Sequence, residues 1–521
     1  MLNDARMLFR FQRDLHSFLR SPVCVSEAQR SLRHYLENRD QSFLQLLDAA
    51  VYRQARSPWR ALLQSARIEF GDLRELVQRC GIERTLAALH DAGVFLTTAE
   101  IKGSQPIVRS GAEIRARPED FDNPVIPGSL PALTSGSSGP PRRLLIDIAL
   151  LDHDVHAQRL FLHSFDLEQR PMAIWRPVPP GAAGLKRAIL QARCGVPAER
   201  WFSQTNPALR AAPFKSWVFL QAALAVARRR GRGLPSPEYV PLDRVSAIAA
   251  WLASKREQGA CAHLDTMVSA AIRVCQAAQA GSLDISGTFF RVGSESLSDS
   301  RAAVLRSAGT LFAVHYSLSE TGPVGMACAG QDHVDDVHLL SSKIAVLPRP
   351  RADGRSALFL TTLLAGAPRI LLNVESGDSA VVESRSCSCP FGAAGYLTHL
   401  HNIRSYEKVS GEGMYVLGAE LASLVDHFLP QRFGGAPTDY QFVHEQREGL
   451  NRVSIVISPR VGPLEPEKVR NAVLKRLAAA SRGSRMKSQI WASGDVLTVE
   501  RGEPSPTAAA KIPPVRFINT D

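Results

Sequence analysis

Apolar residues recur at helical spacing through the first part of the chain. Ile82, Leu86 and Leu89 fall on one face of a helix that Gly93 would end. Residues 1–125 therefore read as a mostly helical region. From about 130 the pattern changes. Short runs such as Leu144-Leu145-Ile146, Met172-Ala173-Ile174-Trp175, Leu358-Phe359-Leu360 and Ile370-Leu371-Leu372 alternate with helical stretches, which predicts a large α/β body with buried β-sheets flanked by helices. Near residue 400 charge and glycine content rise, at Arg404, Glu407, Lys408, Gly411, Glu412 and Gly413. Beyond it lie a further strand, Val453–Ile457, and an amphipathic helix with Val469, Val473 and Leu477 on one face, closed by Gly483. The reading is a helical region at 1–125, an α/β core at 126–402 and a small mobile α+β domain at 403–521. Pro504, Pro506, Pro513 and Pro514 predict an irregular tail around Lys511.

Composition narrows the class. The 521 residues exceed what one core needs, and 45% hydrophobic with 21% charged residues is ordinary globular composition. No apolar run reaches the ~18 residues of a membrane span, and charge interrupts the N-terminus as in no secretory signal. Eight cysteines in so long a chain make no disulfide framework, so a reducing cytoplasm is the expected compartment. Cys24, Cys80, Cys194, Cys261 and Cys275 show no ligand spacing and read as core. The net charge of +12 is spread along the chain; its densest cluster, Arg228, Arg229, Arg230 and Arg232, reads as a solvated helix end. Zinc-finger spacing, a basic arm and interleaved aromatics are all missing, which argues against nucleic acid.

The chemistry lies in a few short segments. Thr134, Ser135, Gly136, Ser137, Ser138 and Gly139 put two glycines and four hydroxyls in six residues, with Arg142 following. Such a loop can surround phosphate oxygens with backbone amides and hydroxyls, or simply be a flexible linker. It lacks the Gly-x4-Gly-Lys-Ser/Thr of a P-loop. Further on, Tyr316-Ser317-Leu318-Ser319-Glu320-Thr321-Gly322 sets an acid among hydroxyls after an apolar run. Ser376-Gly377-Asp378 and Ser505 to Lys511 complete the series.

That order resembles the adenylate-forming superfamily of acyl-CoA synthetases, adenylation domains and luciferases, and within it the phenylacetate–CoA ligase branch. The resemblance spans roughly residues 60 to 515. It matches the phosphate loop to Thr134–Arg142, the glycine–glutamate segment to Gly293, Ser294 and Glu295, and the aromatic-x-x-Thr-Glu motif to Tyr316–Glu320. It matches the ribose-binding aspartate to Asp378, the crossover segment to Arg404, Tyr406, Gly413 and Glu420, and the catalytic lysine to Lys511. Three departures stand out: Tyr406 at the hinge aspartate, with Glu407 beside it, Asn373 at an arginine, and Ala510 at the glycine before the lysine.

What the resemblance implies is ATP-dependent activation of a small carboxylic acid to an acyl-adenylate, with pyrophosphate released, then transfer to coenzyme A. Transfer to a carrier-protein thiol or an amine is the alternative, and a non-catalytic nucleotide-binding scaffold the remote one. The loop would hold the β- and γ-phosphates, Glu320 would hold Mg²⁺, and Lys511 would neutralise charge at the α-phosphate. Tyr406 and Glu407 would form the hinge. A hydrolase is disfavoured by the lack of a Gly-x-Ser-x-Gly elbow.

Cys328, His333, Cys387 and Cys389 are candidate donors of a structural Zn²⁺ site, with buried free thiols as the alternative. Related ligases show a similar Cys…His and Cys-x-Cys set. Trp175, Arg176, His263 and Ser269 are candidate walls of the acyl pocket, Arg176 either meeting a polar group of the substrate or sitting in a structural ion pair. The sequence does not choose between a monomer and a homodimer.

Overall fold

The computed structural model describes residues 2–109, 111–126, 130–133, 143–146, 148–179, 181, 183–206, 214–351, 355–406, 408–411, 414–479, 482–506 and 512–518. The first hundred residues are helical, as the spacing predicts. Helix Phe70–Asp91 buries Ile82, Leu86 and Leu89, and Gly93 follows its end at φ +88°.

A twelve-stranded mixed sheet forms the body. Its parallel half runs Pro237–Tyr239, Arg200–Ser203, Met172–Trp175, His263–Met267, Phe289–Gly293 and Leu311–Leu318. The central strands Met172–Trp175, His263–Met267 and Phe289–Gly293 are buried along their whole length, as parallel strands covered on both faces are. Leu311–Leu318 then turns back at residues 319–321 into Gly322–Met326, and the sheet continues antiparallel through Val337–Leu339, Thr398–Ser405, Val374–Ser384, Ser356–Thr362 and Ile344–Pro350. Leu311–Leu318 is thus the strand where parallel pairing gives way to antiparallel. Crevices at the carboxyl ends of parallel strands are where open α/β sheets hold ligands.

A separate four-stranded sheet orders Leu497–Arg501, Leu450–Ile457, Tyr440–Arg447 and Val515–Ile518, beside helices Pro466–Ala479 and Arg482–Ser493. It touches the body through Arg301 Nη2, which donates to Asn451 Oδ1 (2.7 Å), and Arg273 Nη2, which donates to the Gly494 carbonyl (2.6 Å).

Four local expectations need correction. Ile370-Leu371-Leu372 is buried but not a strand; Thr362 N–H donates to the Leu371 carbonyl, so the segment is held by side pairing. Gly483 lies inside helix Arg482–Ser493 and does not close the preceding one. The proline-rich tail still adds a strand, because Val515–Ile518 pairs parallel with Phe442–Glu445 after its last proline. Cys24 is exposed, whereas Cys194 and Cys275 are core. No described helix is long and apolar enough to cross a membrane.

Candidate functional site

The sheet collects the sequence motifs at one edge of the body. Gly293 ends one parallel strand, Arg176 follows another and Tyr316 lies two residues before the end of Leu311–Leu318, so all three sit toward the carboxyl edge of the sheet. Tyr316 is buried, and its hydroxyl donates to Asp378 Oδ2 at 2.9 Å. Burial, then the neighbouring Asp378 charge, raises the Tyr316 phenol well above its ordinary range, so it stays a donor. The Asp378 backbone N–H in turn donates to Ser376 Oγ (3.1 Å). Ser319 is exposed and Glu320 half-buried on the three-residue turn that follows, so both side chains reach solvent.

Gly293 is required by contact. A Cβ there would lie 2.5 Å from His315 Cε1 and 2.7 Å from the His315 carbonyl oxygen. Next to it, Ser294 takes φ +70° and its Oγ accepts from Arg176 Nη1 at 3.0 Å. Glu295 Oε2 accepts from the Ser269 N–H (2.8 Å), at the start of helix Val268–Ala280. Glu295 therefore caps a helix.

The residues read as pocket walls turn out to be interior. Trp175 is fully buried with its indole N–H donated to the Val240 carbonyl (3.1 Å). His263 is fully buried against the edge of Phe289, and burial takes its pKa down to about 3, so it is a neutral core histidine. Ser269 is fully buried as well. Arg176 is the structural ion pair: its Nε donates to Asp265 Oδ1 (2.7 Å) and its Nη2 to the Thr266 carbonyl. Asp265 also takes Arg187 and Arg291, each at 2.8 Å. Burial opposes its charge, but these guanidiniums hold it well below the usual carboxylate range.

The departures from the family pattern have structural occupations. Asn373 is buried at φ +52° and donates Nδ2 to the carbonyls of Leu86 (2.8 Å) and Val94 (3.2 Å), stitching the N-terminal helix to the sheet. Tyr406 donates its hydroxyl to Glu375 Oε1 (2.8 Å) and its N–H to the Gly377 carbonyl (3.1 Å), with Arg351 over its ring. Arg404 pairs with buried Asp335 at 2.8 Å. Thr134 to Gly139, Arg142, Glu407, Gly413 and Lys511 lie outside the described residues.

The thiol cluster forms with a different histidine. The ligand atoms of Cys328, His338, Cys387 and Cys389 all lie within 4.8 Å of one another. His333 is not among them; its ring stacks on His401 at 3.9 Å. His338 Nδ1 donates to the Tyr396 carbonyl (2.8 Å), which leaves the Nε2 lone pair facing Cys328 Sγ (3.3 Å) and Cys389 Sγ (3.1 Å). A fixed tautomer of this kind is how proteins orient a metal-ligating imidazole. The hydrogen bond from Cys328, opposed by burial, lowers the Cys389 thiol pKa, and the Gly392 N–H donates to its sulfur. His338 lies mid-strand between buried Val337 and Leu339, a position its alternation could have flagged.

No protein-family model matches the chain, and no curated protein matches it. Among solved structures, a 2-hydroxyisobutyryl-CoA ligase, held with 2-HIB-AMP and CoA in the thioesterification state, superposes over 96% of this chain and 91% of its own, at TM-score 0.52 and 13% identity. Two others are similar at lower scores. An o-succinylbenzoate CoA synthetase from Bacillus subtilis covers 92% of this chain and 97% of its own, with 11% identity and TM-score 0.40. A nonribosomal peptide synthetase protein containing adenylation and PCP domains covers 96% and 98%, with 14% identity and TM-score 0.40. The chain has the fold of the adenylate-forming enzymes.

Proposed function

We propose that this chain belongs functionally to the adenylate-forming ligases: it activates a carboxylic acid as its acyl-adenylate, releasing pyrophosphate, and passes the acyl group to coenzyme A. The observation that carries the reading is the Tyr316–Asp378 hydrogen bond beside the Ser319–Glu320 turn, on a fold shared with a ligase that holds an acyl-adenylate and CoA. Asp378 would take the ribose hydroxyls, with Tyr316 beneath it.

The reaction forms a bond from a substrate carboxylate oxygen to the α-phosphorus and breaks the bond to pyrophosphate. Placement and charge neutralisation provide most of the catalysis in such a displacement. Glu320, a single open carboxylate on the turn, suits Mg²⁺, which takes one or two carboxylates together with phosphate oxygens and would neutralise charge on the departing pyrophosphate. Lys511, in its Ser505–Lys511 sequence, is the residue assigned to the α-phosphate and carboxylate oxygens. Thr134–Arg142 is assigned to the β- and γ-phosphates. Tyr406 is the pivot about which the small domain would turn before thioester formation.

The Cys328, His338, Cys387 and Cys389 set fits a structural Zn²⁺: soft thiolates with one imidazole of fixed tautomer, all buried but Cys387. The metal would tie strand Val337–Leu339 to the Cys387–Cys389 loop. Coenzyme A, which the 2-hydroxyisobutyryl-CoA ligase holds, is the first acceptor to test, and a carrier-protein thiol is the alternative. The test is ATP-dependent pyrophosphate release across aryl, aliphatic and amino acids, followed by acyl-CoA formation with each active acid. Release with none of them would end the reading.

A further inference from the structure

The Ser319–Thr321 turn stands over a concentration of buried charge that the adenylation reading does not use. Asp154, on helix Ile148–Ser164, pairs through Oδ1 with Lys343 Nζ at 2.5 Å. Lys186, on helix Ala183–Arg193, points to the same place: a Cβ on Gly322 would lie 3.2 Å from Lys186 Nζ, 3.4 Å from Lys343 Nζ and 3.2 Å from Asp154 Oδ2. Gly322 is the residue directly after the turn, at φ +73°. The next residue of the helix, Arg187, reaches the other way to Asp265 and Gln158.

Charge does not balance here. Lys186, Lys343, Arg176, Arg187 and Arg291 set five cations against two anions, Asp154 and Asp265. Counting Glu295, bound to the Ser269 N–H, still leaves a surplus of two. Buried cations are normally paired. Each of the arginines and Lys343 has its carboxylate; among the described residues Lys186 has none within ion-pairing distance. Its side chain is part-exposed, whereas Lys343 and the three arginines are buried. Asp154 Oδ2 has no hydrogen-bond partner among the described residues either.

We propose that Lys186, backed by Lys343, binds a second acidic group on the substrate, so that the acid activated is a dicarboxylic acid. The inference rests on the adenylation reading for the first carboxylate and adds a cationic subsite for the second, beside Gly322. The spare Asp154 oxygen sets the limit of the subsite by repelling an anion that misses the lysines. Burial, offset by Asp154 and reinforced by Lys343 and Arg187, takes Lys186 down to about 8. A bound carboxylate would restore its proton, so diacid affinity should fall as pH rises through that value.

The test compares matched pairs, glutarate with valerate and adipate with hexanoate, in pyrophosphate release by the wild-type chain, Lys186→Met and Lys186→Arg. The wild type should favour the diacids in kcat/KM. Lys186→Met should raise the diacid KM about 10- to 100-fold, as loss of a charged hydrogen bond does, with the ATP KM unmoved. Lys186→Arg should retain part of the preference. A wild type that prefers the monoacids, or a diacid KM unchanged by Lys186→Met, overturns the proposal. A rise in the ATP KM alone overturns it too, assigning Lys186 to nucleotide phosphate. Calorimetric titration of the same diacids at pH 7 and pH 9 separates the two claims. If no acid supports pyrophosphate release, adenylation falls, and the subsite stands only if binding weakens at pH 9 in the wild type and not in Lys186→Met.

Discussion

Tyr316 and Asp378 lie 62 positions apart, on different strands of the large sheet, and meet in a buried 2.9 Å hydrogen bond. The contact joins the strand that leads into the Glu320 turn to the strand that bears Gly377, so both are held in one frame. Asp378→Ala should raise the ATP KM about tenfold or more, since a buried hydrogen bond to a charged group is worth ~1.5–3 kcal/mol. Tyr316→Phe removes only the donor and should cost less. Initial-rate measurements of pyrophosphate release against ATP concentration decide it; an unchanged KM in Asp378→Ala would take the nucleotide away from this corner.

The metal prediction separates two histidines. Purified protein should contain about one zinc per chain, and His338→Ala should lose it together with thermal stability, because a structural metal contributes its binding free energy to folding. His333→Ala should keep both. Elemental analysis and thermal melting give the answer, and a metal-free wild type prepared without chelator would contradict the assignment.

How legible this was in the sequence depended on locality. The Tyr316–Glu320 and Gly377–Asp378 strings stand out in the sequence because each is contiguous, and the helical spacing of Ile82, Leu86 and Leu89 is equally local. His333 is the histidine nearest Cys328 in the sequence, whereas the neighbour in space is set by strand pairing, His338 opposite His399 and Val337 opposite Leu400. Arg176, His263 and Ser269 read as pocket walls because nothing local reveals that Asp265 gathers arginines from three separate elements. The tail was judged by its prolines, yet a strand needs only the residues after the last of them.

Acid should unfold the chain partly through His263. Its folded pKa, about 3, lies below the unfolded value, so the unfolded chain takes up a proton that the folded chain refuses. Stability is therefore intact above about pH 6.5 and falls as pH drops toward 3, by ~2 kcal/mol for this residue at pH 5. His263→Leu should flatten that slope. Urea unfolding at pH 7.5 and pH 5 checks it; equal slopes in variant and wild type would show that His263 takes up a proton in the folded chain.

Tyr406 is tied at both ends, by its hydroxyl to Glu375 and by its N–H to the Gly377 carbonyl. Tyr406→Pro deletes the N–H donor and fixes φ near about −65°. If the residue is the pivot between two arrangements of the small domain, pyrophosphate release should stay near wild type while acyl-CoA formation collapses. Equal loss of both, measured side by side, would make Tyr406 structural.

Direct detection of the intermediate tests the central claim most sharply. The wild-type chain, mixed with ATP, Mg²⁺ and an acid that binds, should yield pyrophosphate and an acyl-AMP of matching mass in equal amounts after acid quench. Lys511→Ala should form it several hundredfold more slowly, the cost of losing a charge-stabilising contact worth about 3–4 kcal/mol. Release of ADP and phosphate, or pyrophosphate without any acid-dependent acyl-AMP, would contradict the account.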